Sequence, residues 1–214
     1  MQKKLLTLAV LASCSLSAVA GALNDLNSFL KNTQSATGQF EQKVITDKGE
    51  NPDGAGQGTF KFLRPGCFSW HYEAPFEELM MSNGKTQWLY DVEMAQVTVK
   101  KLTSALPATP ASILFGNNNF SKDFEVKDFE VKELPSQKGL NWLLATPKDS
   151  NSPFSEVRIA FKQKLPAQMI LKDNFGQRTE LVFTGVKGNV PMKKTDFDFK
   201  VPKGVDVLED RSAF

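Results

Sequence analysis

The chain has 214 residues, with 26 basic and 24 acidic side chains and a single histidine. That length suits one domain, because β sandwiches and barrels run past about 200 residues as single units. A near-neutral charge with no basic run argues against nucleic-acid binding, which draws its affinity from clustered Lys and Arg on phosphates.

The first residues are Met1-Gln2-Lys3-Lys4, followed by an apolar run from Leu5 to Ala12 and then Ser17-Ala18-Val19-Ala20-Gly21. A basic start, a short apolar run and an Ala-x-Ala site predict a cleavable secretory signal over residues 1–20 and one mature domain over 21–214. The apolar run is short of the about 20 residues a membrane span needs. Leu11-Ala12-Ser13-Cys14 also fits a lipoprotein signal, in which Cys14 would be acylated and become the first residue. Cleavage after Ala20 removes Lys3 and Lys4, leaves a formally neutral chain, and leaves Cys67 without an intramolecular disulfide partner. Stability must then come from the core. With 17 Phe and 3 Trp against only 2 Tyr, that core is expected to be large, apolar and poor in hydrogen-bonding groups.

Leu23, Leu26, Leu30 and Thr33 recur at helical spacing with Phe29 beside them, which predicts an amphipathic helix over 22–33. Alternation over Gly38–Val44 predicts the first strand, and the Gly- and Asp-rich stretch 47–58 reads as a flexible loop. Phe60 and Phe62 then alternate before Arg64-Pro65-Gly66, and Phe68, Trp70 and Tyr72 alternate after it, a hairpin with an arginine at its bend. Leu79–Met81, Asn83-Gly84 and Gln87–Tyr90 make a second hairpin, and Ala95–Lys100 continues the meander.

The pattern breaks at Thr109-Pro110-Ala111-Ser112-Ile113-Leu114-Phe115-Gly116, a miniature helix with a cap, a first-turn proline and a glycine stop. So short a helix is unstable alone and must dock Ile113, Leu114 and Phe115 on an apolar surface. Asn117–Ser121 reads as a link. Asp123–Lys127 and Asp128–Lys132 form a tandem repeat of odd length, so either a bulge separates the copies or one of them lies in a loop. Further strands are expected at 141–145, 155–161, 167–171, 179–183 and 197–201, with turns at 173–176 and 185–189. The sum is about ten short antiparallel strands with few helices.

Catalytic patterns are missing. No Gly-x-Ser-x-Gly or His-Glu-x-x-His is present, and no cluster of His, Cys and carboxylates suggests a metal. Cys67 and His71, four apart on a strand, would sit about 13 Å apart, too far for a dyad. No catalytic residue, metal or cofactor is expected. A sheet with Phe, Trp, Met and Leu on its inward positions either packs on itself or encloses an apolar ligand. The short apolar helix, with the first one, could cover such a sheet. An acyl chain would gain about 0.8 kcal/mol per buried methylene there.

Arg64-Pro65-Gly66-Cys67-Phe68-Ser69-Trp70 and Ser82-Asn83-Gly84-Lys85-Thr86-Gln87-Trp88-Leu89-Tyr90 resemble the Arg-Pro-x-x-Phe-x-Trp and Asp/Asn-Gly-Lys-x-x-Trp-x-Tyr signatures of the outer-membrane lipoprotein carrier family, LolA. Phe40-x-Gln42, Thr109-Pro110-Ala111, Ala145-Thr146-Pro147-Lys148 and Pro202–Val207 resemble it in the same order. The resemblance implies a mainly β fold of the α+β kind, an open antiparallel half-barrel with a helical lid. It implies a periplasmic, monomeric carrier of lipoprotein acyl chains that is not an enzyme. Its partners would be an inner-membrane ABC transporter and an outer-membrane acceptor. The family's lid arginine falls on Arg64, its mouth aromatic on Phe68 and an apolar position of the first helix on Leu30. Leu26, Phe60, Phe62, Trp70, Trp88, Ile113, Leu114 and Phe115 are the other expected cavity residues. Gly66-Cys67 and the pentapeptide repeat depart from the family pattern. Alternative readings are an acceptor of the related LolB kind anchored through Cys14, and a periplasmic esterase with a reactive serine.

Overall fold

The computed structural model describes residues 21–102, 110–115, 120–129 and 140–210. Helix α1 (Ala22–Asn32) is followed by β1 (Ser35–Thr46), β2 (Gly49–Leu63), β3 (Cys67–Ala74), β4 (Glu78–Asn83), β5 (Thr86–Asp91) and β6 (Gln96–Lys101). Two short helices, α2 (Pro110–Phe115) and α3 (Phe120–Asp123), precede β7 (Phe124–Phe129), β8 (Asn141–Pro147), β9 (Phe154–Lys162), β10 (Leu165–Asp173) and β11 (Arg178–Gly188). A 3-10 turn at Lys194–Phe197 and β12 (Asp206–Glu209) close the described chain. The strands form one open sheet in the order β12-β6-β5-β4-β3-β2-β1-β11-β10-β9-β8-β7. All pairs are antiparallel except β12, which runs parallel to β6.

The sheet curls around its helices. Phe60 and Phe62 of β2 and Phe68 and Trp70 of β3 join Leu143, Val157, Ile159, Phe161, Met169, Leu171 and Leu181 of the far wing in one buried cluster. Phe29 of α1 bridges the wings, with its ring 6.0 Å from Phe62 and 6.1 Å from Phe161. The face of α1 turned to the sheet is Ala22, Asp25, Leu26 and Phe29, so Leu23 and Leu30 lie at its margin. The outer face of the first wing is covered by the segment after β11. Phe197 is fully buried there under Lys61, whose Nζ donates to Asp196 O at 3.0 Å.

Several expected elements differ. The stretch 47–58 is not a loop, because β2 begins at Gly49 and pairs with β1 to its tip. Its glycines serve close approach between strands. A Cβ on Gly58 would lie 1.8 Å from His71 O, so the β2–β3 pairing tolerates no side chain there. Phe197–Val201 forms no strand, since Phe197 ends the 3-10 turn and Phe199 packs on Trp88 and Tyr90 of the outer face. The expected turn at 185–189 is mostly the end of β11, and part of the expected 117–121 link is α3. The repeat shows no bulge within Phe124–Phe129, which pairs with β8 in unbroken register. The rest of its second copy lies outside the described residues. Asp128 of that copy accepts the Leu23 N–H at 2.9 Å and ties the start of α1 to the sheet edge.

Candidate functional site

The hairpin at Arg64 is held by its neighbour. Ser82 Oγ donates to Gly66 O at 2.9 Å and accepts from Gly84 N–H at 3.1 Å, locking the β2–β3 turn against the β4–β5 turn. Gly66 and Gly84 both have positive φ, 75° and 85°, and a Cβ on Gly66 would sit 3.2 Å from Gly84 Cα. Glycine is required where two such turns meet. The result is a fixed platform that points Arg64 inward, where it is only 6 % exposed.

The guanidinium binds two helices to the sheet. Arg64 Nε donates to Thr33 O, just past α1, at 3.1 Å, and Nη2 donates to Leu114 O of α2 at 3.0 Å. Carbonyls in the last turn of a helix have no partner within it, so the arginine completes the end of α2. Its charge lies over the rings of Phe29 at 5.1 Å and Phe62 at 4.9 Å, a favourable place for a cation. Burial pulls its pKa down to about 10, which leaves it charged at neutral pH.

Beneath this bond lies the apolar face of α2. Ile113, Leu114 and Phe115 are all buried, and Phe115 is stacked 4.5 Å from Phe62 and 5.0 Å from Phe60. Trp70 stands 6.2 Å from Phe115 and is itself stacked on Phe40 at 4.1 Å. The interior of the curled sheet is therefore filled by the chain's own helix. Beside it, between α1 and β7, a groove of about 660 Å³ remains open, lined by Leu23, Leu26, Leu30, Phe120, Phe124 and Val126 among others.

The structure thus brings together Arg64, Phe60, Phe62, Phe68, Trp70, Leu26, Ile113, Leu114 and Phe115 in one inner cluster, with Leu30 packed at its edge. Trp88 departs from this set. It pairs with Met81 and Val99 on the outer side of the sheet, where its ring lies 6.2 Å from Phe199. The cause is parity: Trp70 pairs with Met80, so the next residue on that strand, Met81, and its partner Trp88 face away. Residues that sequence reasoning did not place here include Phe40, Phe161 and Phe183. Their alternation was visible, but not their convergence across distant strands. Thr109, Gly116 and Cys14 lie outside the described residues. Cys67 is buried on the outer side, where desolvation raises its thiol pKa. His71 Nε2 lies 3.0 Å from Glu77 and takes no part in the inner cluster.

An open antiparallel sheet whose apolar hollow is stoppered by its own helices defines a half-barrel class of protein. Among solved structures, an uncharacterized conserved protein from Thermus thermophilus shares the fold, with a TM-score of 0.56 at 11% identity over 88% of this chain and 99% of that one. An outer-membrane lipoprotein carrier protein of Cupriavidus taiwanensis is 41% identical over 89% of each chain, and one of Bordetella avium is 39% identical over 96% of each. The family model of the outer membrane lipoprotein carrier protein LolA matches residues 31–200. The chain belongs to the LolA family.

Proposed function

We propose that this protein carries lipoproteins across the periplasm by sheltering their acyl chains in the hollow that α2 fills when no cargo is bound. The observation that carries the reading is the bond from Arg64 to Leu114 O above a buried Phe115. An apolar helix of six residues is held over an aromatic bed by a polar latch at its end. Apolar contact with Phe60, Phe62 and Trp70 can be exchanged for contact with an acyl chain, at about 25 cal/mol per Å² buried in either case. The latch is not exchanged in that way, because the hydrocarbon tail that takes the place of α2 offers the guanidinium no acceptor in place of Leu114 O. Cargo entry therefore opens the latch, and relatching of α2 drives cargo out. Leu26 and Leu30, which line the groove beside α1, and the buried Phe68 would meet the chain as it enters.

Loading from an inner-membrane ABC transporter and delivery to an outer-membrane acceptor follow from this role. Export rests on the proposed signal over residues 1–20, cleaved to leave one domain from Gly21. No helix among the described residues is long and apolar enough to cross a membrane. No covalent step belongs to the carrier, and a fluorophosphonate probe should leave the protein unlabelled. The deciding experiment adds the purified mature chain to spheroplasts with an active transporter. Lipoprotein should leave the membrane in complex with it, and its retention would defeat the proposal.

A further inference from the structure

Strand register sorts the charged side chains to the two ends of the sheet, although the sequence shows no basic run. One end holds the Arg64 turn, the β4–β5 and β9–β10 turns, the ends of β6 and β11, and the exit of α1. Exposed lysines mark these places: Lys31, Lys85, Lys101, Lys162, Lys164 and Lys187. Fewer carboxylates stand near this end: Asp210 is paired with Lys100 at 3.2 Å, Asp25 and Asp128 accept from Asn141 and the Leu23 N–H, and Asp196 and Asp198, which accept from the Lys193 N–H and Asn83, lie beside the further exposed lysines Lys193 and Lys194. The opposite end carries Asp47, Glu50, Glu77, Glu93 and Asp149, only partly offset by Lys48, Lys148, Lys172 and Arg178. A chain that is nearly neutral as a whole is thus polarised along its strands, with the latch at the positive end.

We propose that this lysine rim docks on a bilayer containing anionic phospholipid. Three features favour a lipid surface over a protein. Protein interfaces favour Arg, Met and aromatic residues and are depleted in Lys. The exposed Phe76, Met94 and Phe175 lie at the acidic end, not here. The lysines project from separate turns around a broad rim, as a planar field requires, and do not converge on a pocket. Near an anionic bilayer each lysine contributes about 1 kcal/mol, an effect confined to a Debye length of about 8 Å at physiological salt. Docking by this rim turns the Arg64 latch and α2 toward the membrane.

The test is sedimentation of the mature protein with phosphatidylcholine vesicles, with and without phosphatidylglycerol. Binding should require phosphatidylglycerol, fall steeply with salt, and weaken about fivefold for each lysine neutralised. The combined Lys85→Gln, Lys101→Gln, Lys164→Gln, Lys187→Gln variant should not sediment, while keeping the wild-type Tm. A Glu77→Gln, Glu93→Gln, Asp149→Asn control at the other end should bind at least as well as wild type. Absence of phosphatidylglycerol-dependent binding at low salt, or undiminished binding by the lysine variant, overturns the proposal. So does an equal loss of cargo transfer by that variant to an acceptor in detergent, since the rim would then address a protein. The vesicle result is independent of the carrier reading, which can fail while this one stands.

Discussion

Arg64→Leu should load cargo but not release it. Burial lowers the guanidinium pKa to about 10, so holding the charge at this site carries a desolvation cost. Its bonds to Thr33 O and Leu114 O are charge-assisted, at about 1.5–3 kcal/mol each. Only the bond to Leu114 O has to break for α2 to lift, so the latch is worth about 1.5–3 kcal/mol, enough to bias the helix and small beside the burial of an acyl chain. Leucine keeps the apolar contact with Phe29 and Phe62 but leaves Leu114 O unsatisfied on closing. If the latch contributes about 1.5 kcal/mol, the variant binds cargo about tenfold more tightly. The assay loads wild type and variant with the same lipoprotein and measures its transfer to an acceptor in liposomes. The variant should retain its cargo. Transfer at the wild-type rate with unchanged cargo affinity would refute the latch.

Four further outcomes are expected. Phe115→Ala should empty the aromatic stack over Phe60 and Phe62, at a cost of about 3–5 kcal/mol to the closed lid; a rise in binding of a hydrophobic dye by the cargo-free protein checks this. Gly58→Ala forces a Cβ to within 1.8 Å of His71 O, and should lower Tm sharply or prevent folding; an unchanged melting curve would contradict the strand contact. Trp88→Ala should destabilise by about 2 kcal/mol through lost packing on Phe199 yet leave transfer intact, because the ring lies on the outer side. Glu78 has its pKa raised by burial and by nearby Asp91. The folded state then holds its proton more tightly than the unfolded one, so its contribution is favourable below the unfolded pKa of 4.5 and is lost as pH rises through the folded value. Glu78→Gln should accordingly raise Tm at pH 7 and leave it unchanged at pH 4.

The sequence carried the meander, both tight hairpins and the docking helix because each has a local signature. Alternating aromatics fixed the inner positions of β2 and β3, and Pro110 with its apolar followers marked α2. What it concealed depends on contacts between distant strands. The glycines at 54, 56 and 58 look like loop composition until Val44, Tyr72 and His71 are seen pressed against them. Trp88 looked like a cavity residue by its aromaticity, and only the register from Trp70 through Met80 assigns its face. The parallel pairing of β12 with β6 spans a separation in sequence for which alternation gives no sign. Arg64 stood out as a charge at a turn, but its acceptors, one after α1 and one in α2, are brought to it only by the tertiary fold.

The filled hollow changes what cargo binding means thermodynamically. Phe115 is fully buried against Phe62, and Phe60 and Trp70 are each only 2 % exposed, so the inner aromatic face is shielded from water before any ligand arrives. On the proposed mechanism, an acyl chain that enters exchanges one apolar contact for another. Its gain is its own desolvation, less the apolar area of α2 that is returned to water. Affinity is then a difference between two large terms, and the few kcal/mol in the latch are enough to tip it. Two consequences follow from the same exchange. The heat-capacity change on binding should be smaller than the buried area of the acyl chain alone implies, because exposure of α2 offsets it. Truncating Ile113 to Ala should reduce both the lid's resistance and that offset, making the change more negative as affinity rises; a less negative value would mean that α2 stays packed when cargo binds.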